Sequence, residues 1–112
     1  MTVSAEFSDF VCELLSGLGE VSARRMFGGA GIYHDGLMFG LIADDVLYLK
    51  ADAQTIADYE AEGKGPFVYD GKGKPVRMSY WEVPERLFDA PGAMTPWAQN
   101  AYQAALRAAK KA

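Results

Sequence analysis

Arg24-Arg25, the run Gly28-Gly29-Ala30-Gly31, His34 beside Asp35, and the pair Asp44-Asp45 crowd into one stretch of the chain, and these are residue types that chemistry uses. A glycine run can cradle a phosphate when it leads into a helix N-terminus. Here no Lys-Ser/Thr follows it, its spacing is not G-x-G-x-x-G, and Ile32-Tyr33 behind it reads as strand. Gly28, Gly29 and Gly31 are therefore read as structural turn residues at a bend or bulge between strands. His34 is the sole histidine, so neither a multi-histidine metal site nor a triad with a helper histidine can be assembled. A cation shared by His34, Asp35, Asp44 and Asp45 would need two consecutive turns at one end of a sheet, whereas the turns of a meander alternate ends. His34 reads as a solvated turn residue, and no metal is assigned.

Cys12 has no histidine or lysine near it in sequence to lower its pKa, and it reads as an inert thiol at the flank of a core. Asp58, Glu60 and Glu62 read as the solvated face of one helix. Lys64, Lys72, Lys74 and Arg77 lie among Phe67, Tyr69, Tyr80 and Trp81, the combination that holds single-stranded nucleic acid. The net charge of −4 works against that reading, so nucleic-acid binding through the Lys64–Arg77 hairpin is kept as an alternative. Arg24 and Arg25 would point to opposite faces of a regular strand, so one turns inward and needs a partner, because an unpaired buried guanidinium is costly. Structural pairing is the preferred reading, with a ligand or partner site behind it. The partner or ligand candidates are Arg24, Arg25, Lys50, Tyr80 and Trp81. A small-ligand protein or enzyme with a pocket near Arg25, Lys50, Tyr80 and Trp81 is a second alternative. No catalytic residue and no cofactor is assigned.

These residues are held by elements legible from periodicity. Phe7, Phe10, Val11, Leu14, Leu15 and Leu18 make one helical stripe, with Ser4 as its cap and Gly17 and Gly19 at its end. From Glu20 the period falls to two, giving strands at 21–27, 32–34, 37–43 and 46–50. Asp35-Gly36 between two of them is a type I′ hairpin signal, and Asp44-Asp45 a weaker one. Asp52 can cap a helix to about Glu62, with Ala53, Ile56, Ala57 and Tyr59 inward and Gly63 closing it. A hairpin of 67–69 and 76–81 follows around Asp70–Lys74. Pro84 suits a short helix, and Thr95-Pro96 the start of a last one carrying Trp97, Ala101, Ala104, Ala105 and Ala108 inward.

With 112 residues, half of them apolar and 12% aromatic, the chain is one ordinary domain with enough core to fold without staples. One cysteine forms no internal bridge, and no leader-like or membrane-length apolar run is present, so a cytoplasmic protein with no membrane partner is expected.

RRMFGGAGIY, then LMFGLIADDVLYLKAD, PFVY and MSYWEVP resemble the N-terminal domain of the TfoX/Sxy family of bacterial competence regulators, from about Val21 to Trp97. The resemblance implies an α+β fold, α-β(3)-α-β(2)-α, with an antiparallel sheet of about five strands in a two-layer, secretion-chaperone-like architecture. It also implies a non-enzymatic regulatory domain whose partner is a protein, with the transcription machinery and a homodimer as the arrangements it suggests. The family brings no established catalytic residues. Its full-length regulators carry a second domain, and this chain is expected to be a stand-alone, single-domain member spanning 1–112.

Overall fold

The computed structural model describes residues 4–26, 29–71 and 73–111. Helix α1 (Ala5–Leu14) starts where expected, with the Phe7 N–H donating to the Ser4 hydroxyl at 3.1 Å. A 3₁₀ turn at Ser16–Leu18 then ends on Gly19 at φ 135°. Strands β1 (Ser22–Met26), β2 (Gly29–His34), β3 (Leu37–Ala43) and β4 (Val46–Lys50) form the meander. Asp35 and Gly36, at φ 51° and 77°, make the hairpin turn that the sequence predicts, and Asp44-Asp45 makes a second turn of the same hand. After α2 (Ile56–Ala61) come β5 (Pro66–Gly71), β6 (Lys74–Glu82), a 3₁₀ turn at Glu85–Asp89 and α3 (Pro91–Lys111). Among the described residues the sheet has six antiparallel strands in the order β1-β2-β3-β4-β6-β5, one more than the five of the expected pattern.

Register assigns the faces. Ile42 pairs with Leu47, Gly40 with Leu49, and Leu49 with Trp81, so Ile32, Ile42, Leu47, Leu49, Trp81 and Val83 share the buried side. Pairing steps from Ile32–Gly40 to Tyr33–Met38, which leaves Phe39 as an extra residue. This bulge turns Phe39 into the core, where its ring meets Tyr102 of α3 edge-on at 5.9 Å. Ala98, Ala101, Ala104 and Ala105 are all buried, and their small side chains let α3 lie close over β3 and β4. Tyr59 of α2 meets Trp81 at 6.2 Å and Trp97 at 5.0 Å, so all three helices contribute to one layer.

Several expectations shift. The last helix begins at Pro91 rather than at Thr95-Pro96, and Pro96 lies inside it. Thr95 does not cap it; its hydroxyl donates back to the Pro91 carbonyl at 3.1 Å. Met94 and Ala98 join the inner stripe, while Ala108 is exposed. Helix α2 starts four residues after Asp52, because Asp52 instead accepts from the Gln54 N–H and shapes the turn before the helix. Ala53 and Ala57 face solvent. Phe10 leaves the core stripe and stacks on Phe88 at 6.2 Å on the surface.

Candidate functional site

The second face of the sheet carries the candidate site. Ser22, Arg24 and Met26 of β1, Gly29, Gly31 and Tyr33 of β2, Met38, Leu41 and Ala43 of β3, and Tyr48 and Lys50 of β4 fall on it by register. Tyr80 pairs with Lys50 and Glu82 with Tyr48, which continues it onto β6. Adjacent strands lie about 4.8 Å apart, so the outer strands of a flat six-stranded sheet would be separated by about 24 Å. Here Met26 of one edge strand and Phe67 and Tyr69 of the other line a single cavity of about 280 Å³. Phe67 also meets Tyr48, two strands away, at 5.0 Å between ring centroids. The sheet is therefore strongly coiled, its helix-free face concave.

Met38, Leu41 and Met78 complete most of the cavity wall, which is almost wholly apolar. Gly29 is a strand residue on this wall, and glycine is required there because a Cβ would run into the Ile42 carbonyl oxygen. Gly31, also within β2, lies under Met26, Tyr33 and Met38: a Cβ there would be 2.8 Å from the Met26 Sδ and 3.2 Å from the Met38 Sδ. Neither glycine is the bend expected from sequence, and Gly28 lies outside the described residues. Close approach of neighbouring groups, not chain reversal, explains them.

Beside the cavity the charged candidates divide. Arg24 is exposed, with its guanidinium 5.0 Å from the centre of the Tyr33 ring, and Lys50 sets its ammonium 5.2 Å from the centre of Tyr80. Lys50 also donates to the Ser79 hydroxyl. Burial, and secondarily the neighbouring Tyr33, raise the Tyr80 pKa, so this phenol stays a neutral donor. Around Tyr48 the sign reverses, since after burial the charges of Glu82 and Asp44 raise its pKa. The concave face is thus cationic beside Tyr33 and Tyr80 and acidic beside Tyr48.

Arg25 and Trp81 do not belong to this group. Arg25 is exposed too, but on the helix side, in a shallow hollow with Ala5, Ser8 and Asp9. Among the described residues, neither Arg24 nor Arg25 forms an ion pair with a carboxylate, which corrects the expectation of an inward, structurally paired arginine. Strand β1 is an edge strand, so neither side chain is forced into the interior. Trp81 is core, 7% exposed against Tyr59. The pocket of Arg25, Lys50, Tyr80 and Trp81 is therefore split between two faces.

His34 is not a solvated turn residue. Its Nδ1 lies 2.7 Å from the Glu20 carbonyl oxygen, which can only accept, so Nδ1 carries the proton. Its ring meets Tyr102 edge-on at 4.9 Å, tying the segment after α1 to α3. Cys12 is half-buried and its thiol pKa is raised by burial and by Asp9, as an inert thiol requires. In the hairpin, Lys64 is held by Glu82 at 3.7 Å, while Lys72 lies outside the described residues. Two bidentate pairs join distant parts of the chain. Arg107 donates to both Asp52 oxygens at 2.7 and 3.1 Å, and Arg86 to both Glu62 oxygens at 3.0 and 2.8 Å. Pairs 55 and 24 residues apart leave no local sequence signal.

Among the described residues no group of three or more potential metal ligands occurs, and no helix is long and apolar enough to cross a membrane. In comparison with known proteins, the family described as the TfoX N-terminal domain matches residues 13–105. The chain is similar to the DNA transformation protein TfoX1 of Aliivibrio fischeri, with 29% identity over 86 residues, 77% of this chain and 41% of the relative. It is also similar to Protein Sxy of Escherichia coli, with 29% identity over 76 residues, 68% of this chain and 36% of the relative. The chain thus spans about two fifths of the length of these relatives.

Proposed function

This chain belongs to the TfoX N-terminal domain family, and from that premise we propose that it is a non-enzymatic regulatory domain that docks a protein partner and promotes DNA uptake. The relative named a DNA transformation protein supports the direction of this reading. The observation that carries it is the concave sheet face left uncovered by the helices, with a half-buried apolar hollow in it of the kind that seats an anchoring side chain of a partner. Methionines 26, 38 and 78 suit that use, since their flexible thioethers repack around different partner shapes. The partner is a component of the transcription machinery, and the chain works in the cytoplasm.

A photo-crosslinking residue in place of Leu41, on the concave face, and in place of Gln99, on the exposed side of α3, tests this in the host bacterium. The expected result is one transcription protein captured from position 41 and absent from position 99, together with a fall in transformation frequency when the gene is deleted. Unchanged transformation combined with identical capture from both positions would refute the proposal.

A further inference from the structure

We infer that the cavity in the concave face binds a small apolar anion, a carboxylate carrying an alkyl chain or a single ring system, with its head at Arg24 and Tyr33. The inference takes from the proposed function only that this face is the working surface.

Volume and lining set the apolar part. An engineered cavity of roughly 150 Å³ lined by aliphatic and aromatic side chains stays dry and admits benzene. The cavity here is about 280 Å³ and half open to solvent, flanked by Met26 from one sheet edge and by Phe67 and Tyr69 from the other. That space accommodates a medium-length alkyl chain or a ring, while a folded partner element would have to enter between the two edges.

Charge sets the head group. The thioethers of Met26 and Met38, which line the cavity, and the edge of the Tyr33 ring converge above Gly31, so Tyr33 adjoins the cavity wall at these two methionines. Arg24 lies on that ring with no carboxylate partner among the described residues, although the chain as a whole carries a net charge of −4. Lys50 pairs with Tyr80 one residue beyond the Gly40–Leu49 pair, which sets both toward the Tyr33–Met38 end of the face. No hydrogen bond joins the Tyr33 or Tyr80 hydroxyl to another described residue, so both phenols are open donors beside the two cations. An anionic head placed there gains charge-assisted hydrogen bonds. A neutral ligand would leave this polarity unused, and a cationic one would meet Arg24.

Calorimetric titration of the purified full chain with octanoate, 1-octanol and octyltrimethylammonium, each below its self-association concentration, tests the inference. Octanoate is expected to bind at one per chain, octanol about tenfold more weakly, and the cation not measurably. Arg24→Gln, at an exposed position, should lower octanoate affinity about tenfold and leave octanol unchanged. Leu41→Trp, filling the cavity, should abolish both, with circular dichroism confirming its fold. Absence of saturable octanoate binding, equal affinity for octanoate and octanol, or an unaltered affinity in Arg24→Gln would each overturn it. Because this assay contains only the purified chain and ligand, its failure leaves the crosslinking result standing.

Discussion

Arg24 and Trp81 carry the same sequence-level credentials, a large side chain able to bind, yet their positions in the register give them opposite roles. Trp81 pairs with Leu49 on the helix side and packs against Tyr59, whereas Arg24 pairs with Gly31 on the concave side and rests on Tyr33. Removing a buried indole loses both its transfer free energy and its packing. Trp81→Ala should therefore destabilise the fold by about 3–5 kcal/mol in a urea melt. Arg24→Ala should change stability by less than about 0.5 kcal/mol, because an exposed side chain without an ion-pair partner has little folding energy to lose. Equal midpoints for the two variants would contradict the face assignment. The type of each residue was legible in the sequence; its face was not, since parity on β6 depends on which residue of β4 it meets, a pairing made across the intervening helix.

At the scale of elements, the sequence spoke clearly where the signal is local. Ser4, Asp35-Gly36 and Gly63 cap or turn the chain where they were expected to, each through contacts within a few residues. It misled where a local motif was outcompeted. Thr95-Pro96 has the form of a helix start, but Pro91 opens the helix a turn earlier, and burial of Met94 and Ala98 against the sheet fixes the longer element. The glycine run is the informative case. Strand patterns interrupted by glycine suggest a bend, but β2 continues through Gly29 and Gly31 because other groups occupy the space where side chains would stand. Gly29→Ala should accordingly destabilise the domain by about 1–3 kcal/mol, since its Cβ meets a backbone carbonyl that cannot rotate away. Gly31→Ala should cost less, because its neighbours are flexible methionine and tyrosine side chains that can shift toward the cavity. Comparison of the two by thermal melting checks the order, and a milder effect at position 29 would be inconsistent with this packing. Asp52→Ala should lower the melting temperature more than Arg107→Ala, because it removes the turn bond to Gln54 as well as the bidentate pair.

For the molecule as a whole, one layer of helices seals one face of a coiled sheet, and the tyrosines report how tightly. Tyr59 is 2% exposed between α2, the sheet and α3, and burial is the main cause of its strongly raised pKa, followed by the charge of Asp58. Burial likewise raises Tyr48 and Tyr80. In the unfolded chain all three ionise near pH 10. A phenol whose folded pKa lies above that value contributes stability that is complete below about pH 10 and lost as pH rises beyond it, because only the unfolded state can shed the proton. Stability should therefore fall with rising pH from about pH 10, and the buried phenols should ionise together with unfolding rather than before it. Tyr59→Phe removes the largest of these contributions and should make the alkaline decline shallower, even if the variant starts from a different stability at neutral pH. Tyrosinate absorbance and far-ultraviolet circular dichroism recorded along one pH titration separate the outcomes. If Tyr59 ionised while the helices remained intact, the layer over the sheet would be open to water, and α2 would not be the sealed element that Trp81 and Trp97 make it.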